Sequence, residues 1–519
     1  MASGIVQEVP RLAEAPTDPA RRRRAAGLLV VGVLVACGAW LRLASLDRLS
    51  FWADEFPHAV AAKNLIEHGT PELPSGKQYR RALAQTVAVS LSMRVFGENE
   101  AAARLPSALV GVATIALVWL VVRRRFGEIA GVAAAAVLAV LPLHVAHSRS
   151  ARFYVAFALA YGATVVVGTR ALEDGSVRMA LVAVAAFAIA LHLQPVAVLV
   201  VPAFAVQCVI AWRRTEGSER RRLARVLGRS ATFVAIAAGV ALAVPGLRAG
   251  ALRMFEHPVP GLDLAPGFGL RTLGELFGLV SWWAWIPLAP AAVAGLRRAG
   301  RRGAALAVHL LVPALAVAIL YRPASAGARV DARYLLHLVP LLAAVVGVAI
   351  AELVRLLGLI RSRPGALALC ASALAGALVA SGVTTVWSLP GEAHPGRVIG
   401  RADWKAAAAT IRARWKPGDA LLSSAPLATA WELGRCGDWL RGRSAAAPFI
   451  DEGADVFCGS RLVGDAASLG GYFVAHPRGW IVADAARWTD QLDPSVRAMI
   501  QRETIPVAVD RTVLIFRWG

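Results

Sequence analysis

The chain has 519 residues, 57% of them hydrophobic and only 17% charged, with a formal net charge of +22 at pH 7. A soluble enzyme of this length needs more polar surface, so that class is excluded. Nucleic-acid binding is excluded as the reason for the charge, because the arginines punctuate apolar blocks and form no single stripe with interleaved aromatics.

Taken in chain order, a polar leader ends in Arg21 to Arg24 and an apolar run follows at 25–46 with no small-residue cleavage site behind it. This predicts an uncleaved signal anchor. Further spans are expected at 103–122, 129–147, 153–170, 179–193, 195–212, 230–247, 274–296, 303–321, 334–355 and 365–388. Together they make a polytopic α-helical membrane protein of about eleven transmembrane helices. Only His192 to Gln194 separate the fifth span from the sixth, which suggests a tight hairpin.

The arginine clusters at 21–24, 123–125, 213–225, 297–302 and 355–363 fall in alternate gaps, which the positive-inside rule places in the cytoplasm. Residues 1–24 are then a cytoplasmic tail, 25–388 the transmembrane domain and 389–519 an extracytoplasmic domain, all anchored in the inner or plasma membrane. Three outside loops are long enough to matter, at 47–102, 248–273 and 322–333. The first is too long for a simple connector. Its amphipathic stretches at 58–68 and 79–96 suit helices lying on the membrane surface and roofing a cavity.

After Pro390 the pattern turns soluble and predicts a small α/β domain. A helix is expected from Trp404 through Arg414, a turn at Lys416 to Asp419, and strands at 420–424, 480–483 and 513–516. Cys37, Cys208 and Cys370 read as small buried hydrophobes within apolar blocks. Cys436 and Cys458 lie in the tail and are able to pair if it is outside the cytoplasm, which the residues alone leave open. Trp404, Trp415, Trp431, Trp439, Trp480 and Trp488 suit core and surface anchors better than sugar-stacking platforms.

The chemistry-bearing feature is Asp54 beside Glu55, flanked by Phe51 and Trp52 where the chain leaves the first span. Adjacent carboxylates at a bilayer surface are costly and usually mark a site. An equally weighted reading is a helix start, with Asp54 as N-cap and Glu55 in the first turn. Asp54, Glu55 and His58 fall within one helical turn, and His144 and His147 lie at the outer end of a span. A divalent cation is the one cofactor such a set suggests, but no zinc-type spacing is present and no metal is expected to be required.

Several stretches in order resemble the GT-C glycosyltransferases related to protein O-mannosyltransferases and lipid A aminoarabinose transferases. These are the acidic pair, Phe96 to Glu100, Ala103 to Leu109, Arg125 to Gly127, Ser148 to Tyr154, and Ala332 to Pro340 with its Arg333 and Tyr334. The resemblance covers about the first 390 residues, the tail being similar only loosely. It implies inverting transfer of a hexose or pentose from a polyprenyl-phosphate donor to a glycan, lipid or protein acceptor at the outer membrane face. Asp54 would be the base, with Glu55 orienting the acceptor or adjusting the charge around it.

The leaving phosphate needs cations, for which the resemblance points first to Arg333. Arg152, Arg149, Arg329 and Lys77 are weaker candidates from the outside loops, and His58, Tyr154 and Tyr334 are further site candidates. Two departures stand out. The histidine-proline-proline stretch of many relatives is replaced by Ser75 to Arg80, and the second loop has Arg152, Phe153 and Tyr154 where some relatives carry a second acid. A lipid or glycan transporter is the main rival, but transporters keep ionisable groups at mid-membrane depth, and here the spans are nearly free of central charge. A sensory membrane protein with a ligand-binding outer domain is a further rival.

Overall fold

The computed structural model of the protein describes residues 19–243, 274, 276–280, 282–320, 332–358, 402–509 and 512–519. Up to residue 358 the described chain is helical. In order come α1 (Pro19–Leu43), α2 (Phe56–His68), α3 (Leu83–Phe96), α4 (Glu100–Phe126), α5 (Glu128–Val140), α6 (Pro142–Ser148) and α7 (Tyr154–Asp174). There follow α8 (Val177–Leu193), α9 (Val200–Arg214), α10 (Gly217–Ala243), α11 (Trp285–Arg298), α12 (Arg301–Leu320) and α13 (Val339–Leu356). Among the described residues five helical segments are long and apolar enough to cross a membrane, or six if the bent pair α5–α6 counts as one span.

Local chemistry sets the ends. Asn99 caps α4 by accepting from the Ala102 backbone, and Glu100 in the first turn and Arg123 to Arg125 in the last suit the helix dipole. The 60° bend between α5 and α6 is caused by Pro142, which cannot donate to the carbonyl of Leu138. Arg42 of α1, fully buried, donates to the carbonyls of Leu138 and Ala139 at 2.9 and 2.8 Å, so the break holds a guanidinium inside the bundle. Space for it comes from Gly111, where a Cβ would lie 2.3 Å from Ser148 Oγ.

The arginine-rich helix ends gather on one face. Arg125 meets Glu173 at 3.2 Å, Arg302 reaches the carbonyl of Arg125, and Arg298 and Arg355 share Glu352. The charge pattern of the sequence thus becomes a single polar rim at the ends of α4, α7, α11, α12 and α13.

The tail folds as a six-stranded sheet with helices α14 (Trp404–Arg412), α15 (Pro426–Leu433), α16 (Ala466–Ala475), α17 (Ala485–Gln491) and α18 (Pro494–Glu503). Its strands are β1 (Ala420–Ser423), β2 (Asp438–Leu440), β5 (Leu462–Val463), β6 (Gly479–Asp484), β7 (Ile505–Val509) and β8 (Val513–Trp518), with β3 (Ile450–Asp451) and β4 (Ala454–Asp455) forming a separate hairpin. The order is β5-β2-β1-β6-β8-β7, parallel from β5 through β6 and antiparallel for β8 and β7. The expected strands at 420–424, 480–483 and 513–516 are all present. Trp404, Trp439, Trp480 and Trp488 are buried, Trp415 and Trp431 pack against a core cluster, and a disulfide joins Cys436 to Cys458.

The first loop and the tail share one core, in which Phe51, Phe56, Val89 and Met93 pack with Trp404, Leu421, Trp480 and Ile515. Polar ties reinforce it. The Lys405 amine donates to the carbonyl of Asp47 at 2.8 Å and pairs with Glu100 at 3.0 Å, Ser75 Oγ donates to the carbonyl of Val456, and Lys77 pairs with Asp451. The first loop therefore packs against the tail through both apolar and polar contacts.

Glu432, at the end of α15, lies in this seam. Burial, then the neighbouring Glu100 charge, pushes its carboxyl up to about 7. From pH 4.5 to 7 the folded protein keeps a proton that the unfolded chain has released, so this group costs stability progressively as pH rises through that window. Glu432→Gln is expected to leave the melting temperature unchanged at pH 5 and raise it by a few degrees at pH 8. Thermal unfolding of the full chain in detergent at both pH values checks this, and a shift that does not depend on pH would refute it.

Several expected boundaries are corrected. The span expected at 103–122 is the longer α4, and the stretches at 58–68 and 79–96 start as helices at Phe56 and Leu83. The run at 129–147 is broken at Pro142, and a 3-10 turn at Pro195–Leu199 separates α8 from α9. The arginine-rich segment before 230 is helical, not a loop, since i to i+4 spacing lets its long side chains project into solvent. The run at 334–355 opens as a 3-10 turn at Ala332–Leu338. The span at 365–388 and the loops at 248–273 and 322–331 lie outside the described residues.

Candidate active site

Asp54 and Glu55 sit in the turn before α2 and take different directions. The N-cap residue of α2 is Glu55, not Asp54, and its side chain makes no capping bond there.

Glu55 is fully buried. Its Oε1 accepts from Arg104 Nε at 2.9 Å and from the Ala151 backbone at 2.8 Å; its Oε2 accepts from the Trp52 backbone at 2.8 Å and from Arg104 Nη2 at 3.2 Å. Arg104, equally buried, also donates to the carbonyls of Leu46, Leu49 and Ser50 and stands 5.1 Å from the centre of the Phe51 ring. The pair ties the first loop, α4 and the second loop together, with both charges surrounded by hydrogen-bonding partners.

Asp54 keeps 41% of its side chain exposed. Its Oδ2 is 3.9 Å from Arg152 Nη2, and its main-chain oxygen accepts from Arg152 Nη1 at 2.6 Å. Arg152 is buried, donates to Tyr154 Oη at 3.3 Å and lies about 5 Å from the Phe153 and Tyr154 ring centres. Burial opposes its charge, yet Tyr154 and Asp54 hold it above the usual arginine value, so it is a permanent cation.

Behind this pair lies a polar cluster. His58 Nδ1 is 2.9 Å from Thr86 Oγ1 and its Nε2 is 3.5 Å from Tyr79 Oη. Burial, then the positive charges of Arg152 and Arg81, hold His58 well below its ordinary value, which makes it a neutral support. Burial raises the Tyr79 phenol against the pull of the same two arginines. Arg81 is exposed and stands over the Phe153 ring at 5.5 Å.

The remaining candidates are placed as follows. Arg149 donates to the carbonyls of Leu41, Ala44 and Ser45 and so closes the end of α1. Lys77 pairs with Asp451 of the tail. His144 is 2.9 Å from Arg42, and His147 packs on the Tyr154 ring. Arg329 and the side chains of Arg333 and Tyr334 lie outside the described residues. Among the described residues no group of three or more His, Cys, Asp or Glu side chains is placed to hold a metal ion. Arg81 and Arg104 were missed from sequence, although each carried a signal: Arg81 is basic in a loop where arginine is disfavoured, and Arg104 is charged inside an expected span.

A turn holding a partly exposed carboxylate beside a buried guanidinium suits proton removal next to a developing anion. Residues 82–244 match the family described as dolichyl-phosphate-mannose-protein mannosyltransferase, a stretch that begins after Asp54 and Glu55. No curated protein matches the chain. The fold is similar to that of ArnT from Cupriavidus metallidurans in the apo state, with a TM-score of 0.65 at 16% identity over 95% of this chain and 98% of that one. ArnT from the same organism bound to undecaprenyl phosphate gives a TM-score of 0.62 at the same identity and coverage. The resemblance to GT-C glycosyltransferases read from the sequence holds in both comparisons.

Proposed function

We propose that this protein transfers a sugar from a polyprenyl-phosphate donor to an acceptor at the extracytoplasmic face of the membrane, with inversion and with Asp54 as general base. The observation that carries the reading is the partly exposed Asp54 carboxylate 3.9 Å from the buried Arg152 guanidinium. The finding of undecaprenyl phosphate on a protein of the same fold supports the donor class. The disulfide in the tail supports an oxidising, extracytoplasmic position for that domain. The arginine-rich rim on the opposite face supports a cytoplasmic N-terminus and the positive-inside orientation.

In this reaction the acceptor oxygen forms a bond to the anomeric carbon from one side while the bond to the phosphate oxygen breaks on the other. The acceptor proton passes to the Asp54 carboxylate, and the electron pair leaves with the polyprenyl phosphate. Arg152 stabilises the charge that develops on that phosphate, and Arg333 is a second proposed ligand for it. Glu55 is proposed as the residue that fixes the turn carrying Asp54.

Arg152→Lys keeps a positive charge but loses the planar fork that serves both Asp54 and Tyr154. It is expected to lower kcat/KM for the donor about tenfold, the scale of one or two lost charge-assisted hydrogen bonds. An unchanged kcat/KM for the donor would remove Arg152 from the phosphate site.

The reading itself is tested by incubating purified protein with a panel of radiolabelled polyprenyl-phosphate sugars and cell-envelope fractions as acceptor. Label moving from lipid to acceptor establishes the reaction and identifies the sugar. No transfer from any donor, with folded protein, favours the transporter reading.

A further inference from the structure

Helices α4, α7, α12 and α13 line a slot of about 280 Å³ that runs from Ala158 and Pro340 to the arginine-rich rim and whose lining contains none of the residues assigned to the proposed reaction. Its lining runs from Thr114 to Phe126 on α4 and from Ala158 to Thr169 on α7. At 1.5 Å per residue each wall is therefore roughly 16 to 18 Å long, about half the thickness of a bilayer core. The walls are almost wholly apolar. Thr114 Oγ1 is satisfied by the carbonyl of Val110, and the other polar side chains of the lining, Arg125, Thr169 and Arg302, stand together at the arginine-rich end.

Two polar atoms there are unmet. Arg125 Nη2 and Thr169 Oγ1 are buried without a hydrogen-bond partner among the described residues. Leaving such donors unsatisfied is costly, and acceptor oxygens would offset that cost. Glu173 balances one of the two arginines, so the end of the slot keeps net positive charge, and Arg302 is exposed at its mouth. Long, narrow, apolar and cationic at one end, the slot matches a single lipid.

We propose that the slot binds one anionic phospholipid of the leaflet at the arginine-rich face, with an acyl chain between α4 and α7 and the phosphate met by Arg125, Arg302 and Thr169. A polyprenyl donor with its phosphate near Asp54 leaves the cationic end of the slot unmet, whereas a phospholipid of the opposite leaflet meets it. The cationic end of the slot lies about 22 Å along α7 from Tyr154, at Thr169. The binding itself does not depend on the transferase reading.

Native mass spectrometry of the full chain in detergent, with phosphatidylglycerol and phosphatidylcholine of identical acyl chains, tests the proposal. Wild type is expected to retain one phosphatidylglycerol with about tenfold preference. Gly162 lines the slot and a Cβ there meets nothing within 4 Å, so Gly162→Leu places a side chain in the space and should abolish retention, with thermal unfolding to confirm that the variant folds. Arg302→Gln, a change at an exposed position, should remove most of the preference. Equal retention of the two lipids by wild type would overturn the proposal, as would undiminished retention by Gly162→Leu. A raised donor KM in Gly162→Leu with unchanged phosphatidylglycerol retention would assign the slot to the donor tail instead.

Discussion

Asp54→Asn is expected to abolish sugar transfer, lowering kcat by at least about 10²-fold, the lower end of what a positioned general base contributes. The amide matches the carboxylate in shape but cannot take the acceptor proton. Because Arg152 is anchored on the main-chain oxygen of Asp54 as well as facing its side chain, the turn should survive the substitution. Donor binding should therefore change little, and the loss should appear in kcat. Steady-state transfer assays on wild type and variant, with thermal unfolding to confirm folding, check this. Wild-type turnover in the variant would remove Asp54 from the chemistry.

Glu55→Gln is expected to produce the second large effect, on folding. It leaves Arg104 buried with its counter-charge gone, and breaking one side of a buried ion pair costs about 3 to 5 kcal/mol. Replacing both partners by apolar residues, as in Glu55→Leu with Arg104→Met, should restore part of that loss, because no charge is then left unpaired. Yield of monodisperse protein and melting temperature measure both variants. Should Glu55→Gln melt like wild type yet fail in transfer, Glu55 acts on the acceptor, as the family resemblance implies, and is not merely a strut of the turn.

The two adjacent carboxylates thus illustrate a division of labour that no spacing rule distinguishes. Asp54 and Glu55 are equivalent in the sequence, each beside aromatics at the end of a span. Their roles separate only because Arg104 and the Ala151 amide, 49 and 96 residues further on, converge on Glu55 and leave the Asp54 carboxylate partly exposed. Likewise Arg149 and Arg152 are three residues apart in the same loop. One closes the end of α1 and the other faces Asp54.

From the sequence by itself came the membrane class, the alternation of arginine clusters, the amphipathic loop helices, the strands of the tail and the family resemblance. These rest on local periodicity and composition, which a chain carries wherever it is placed. Tertiary structure alone decided the break at Pro142 filled by Arg42, the shared core of loop and tail, the pairing of Cys436 with Cys458 and the contrast between Glu55 and Asp54. Each of these depends on groups brought together from distant parts of the chain. A buried charge such as Arg42 or Glu55 is tolerable only once its remote partners have arrived, so its meaning is set by long-range packing that the local sequence does not encode.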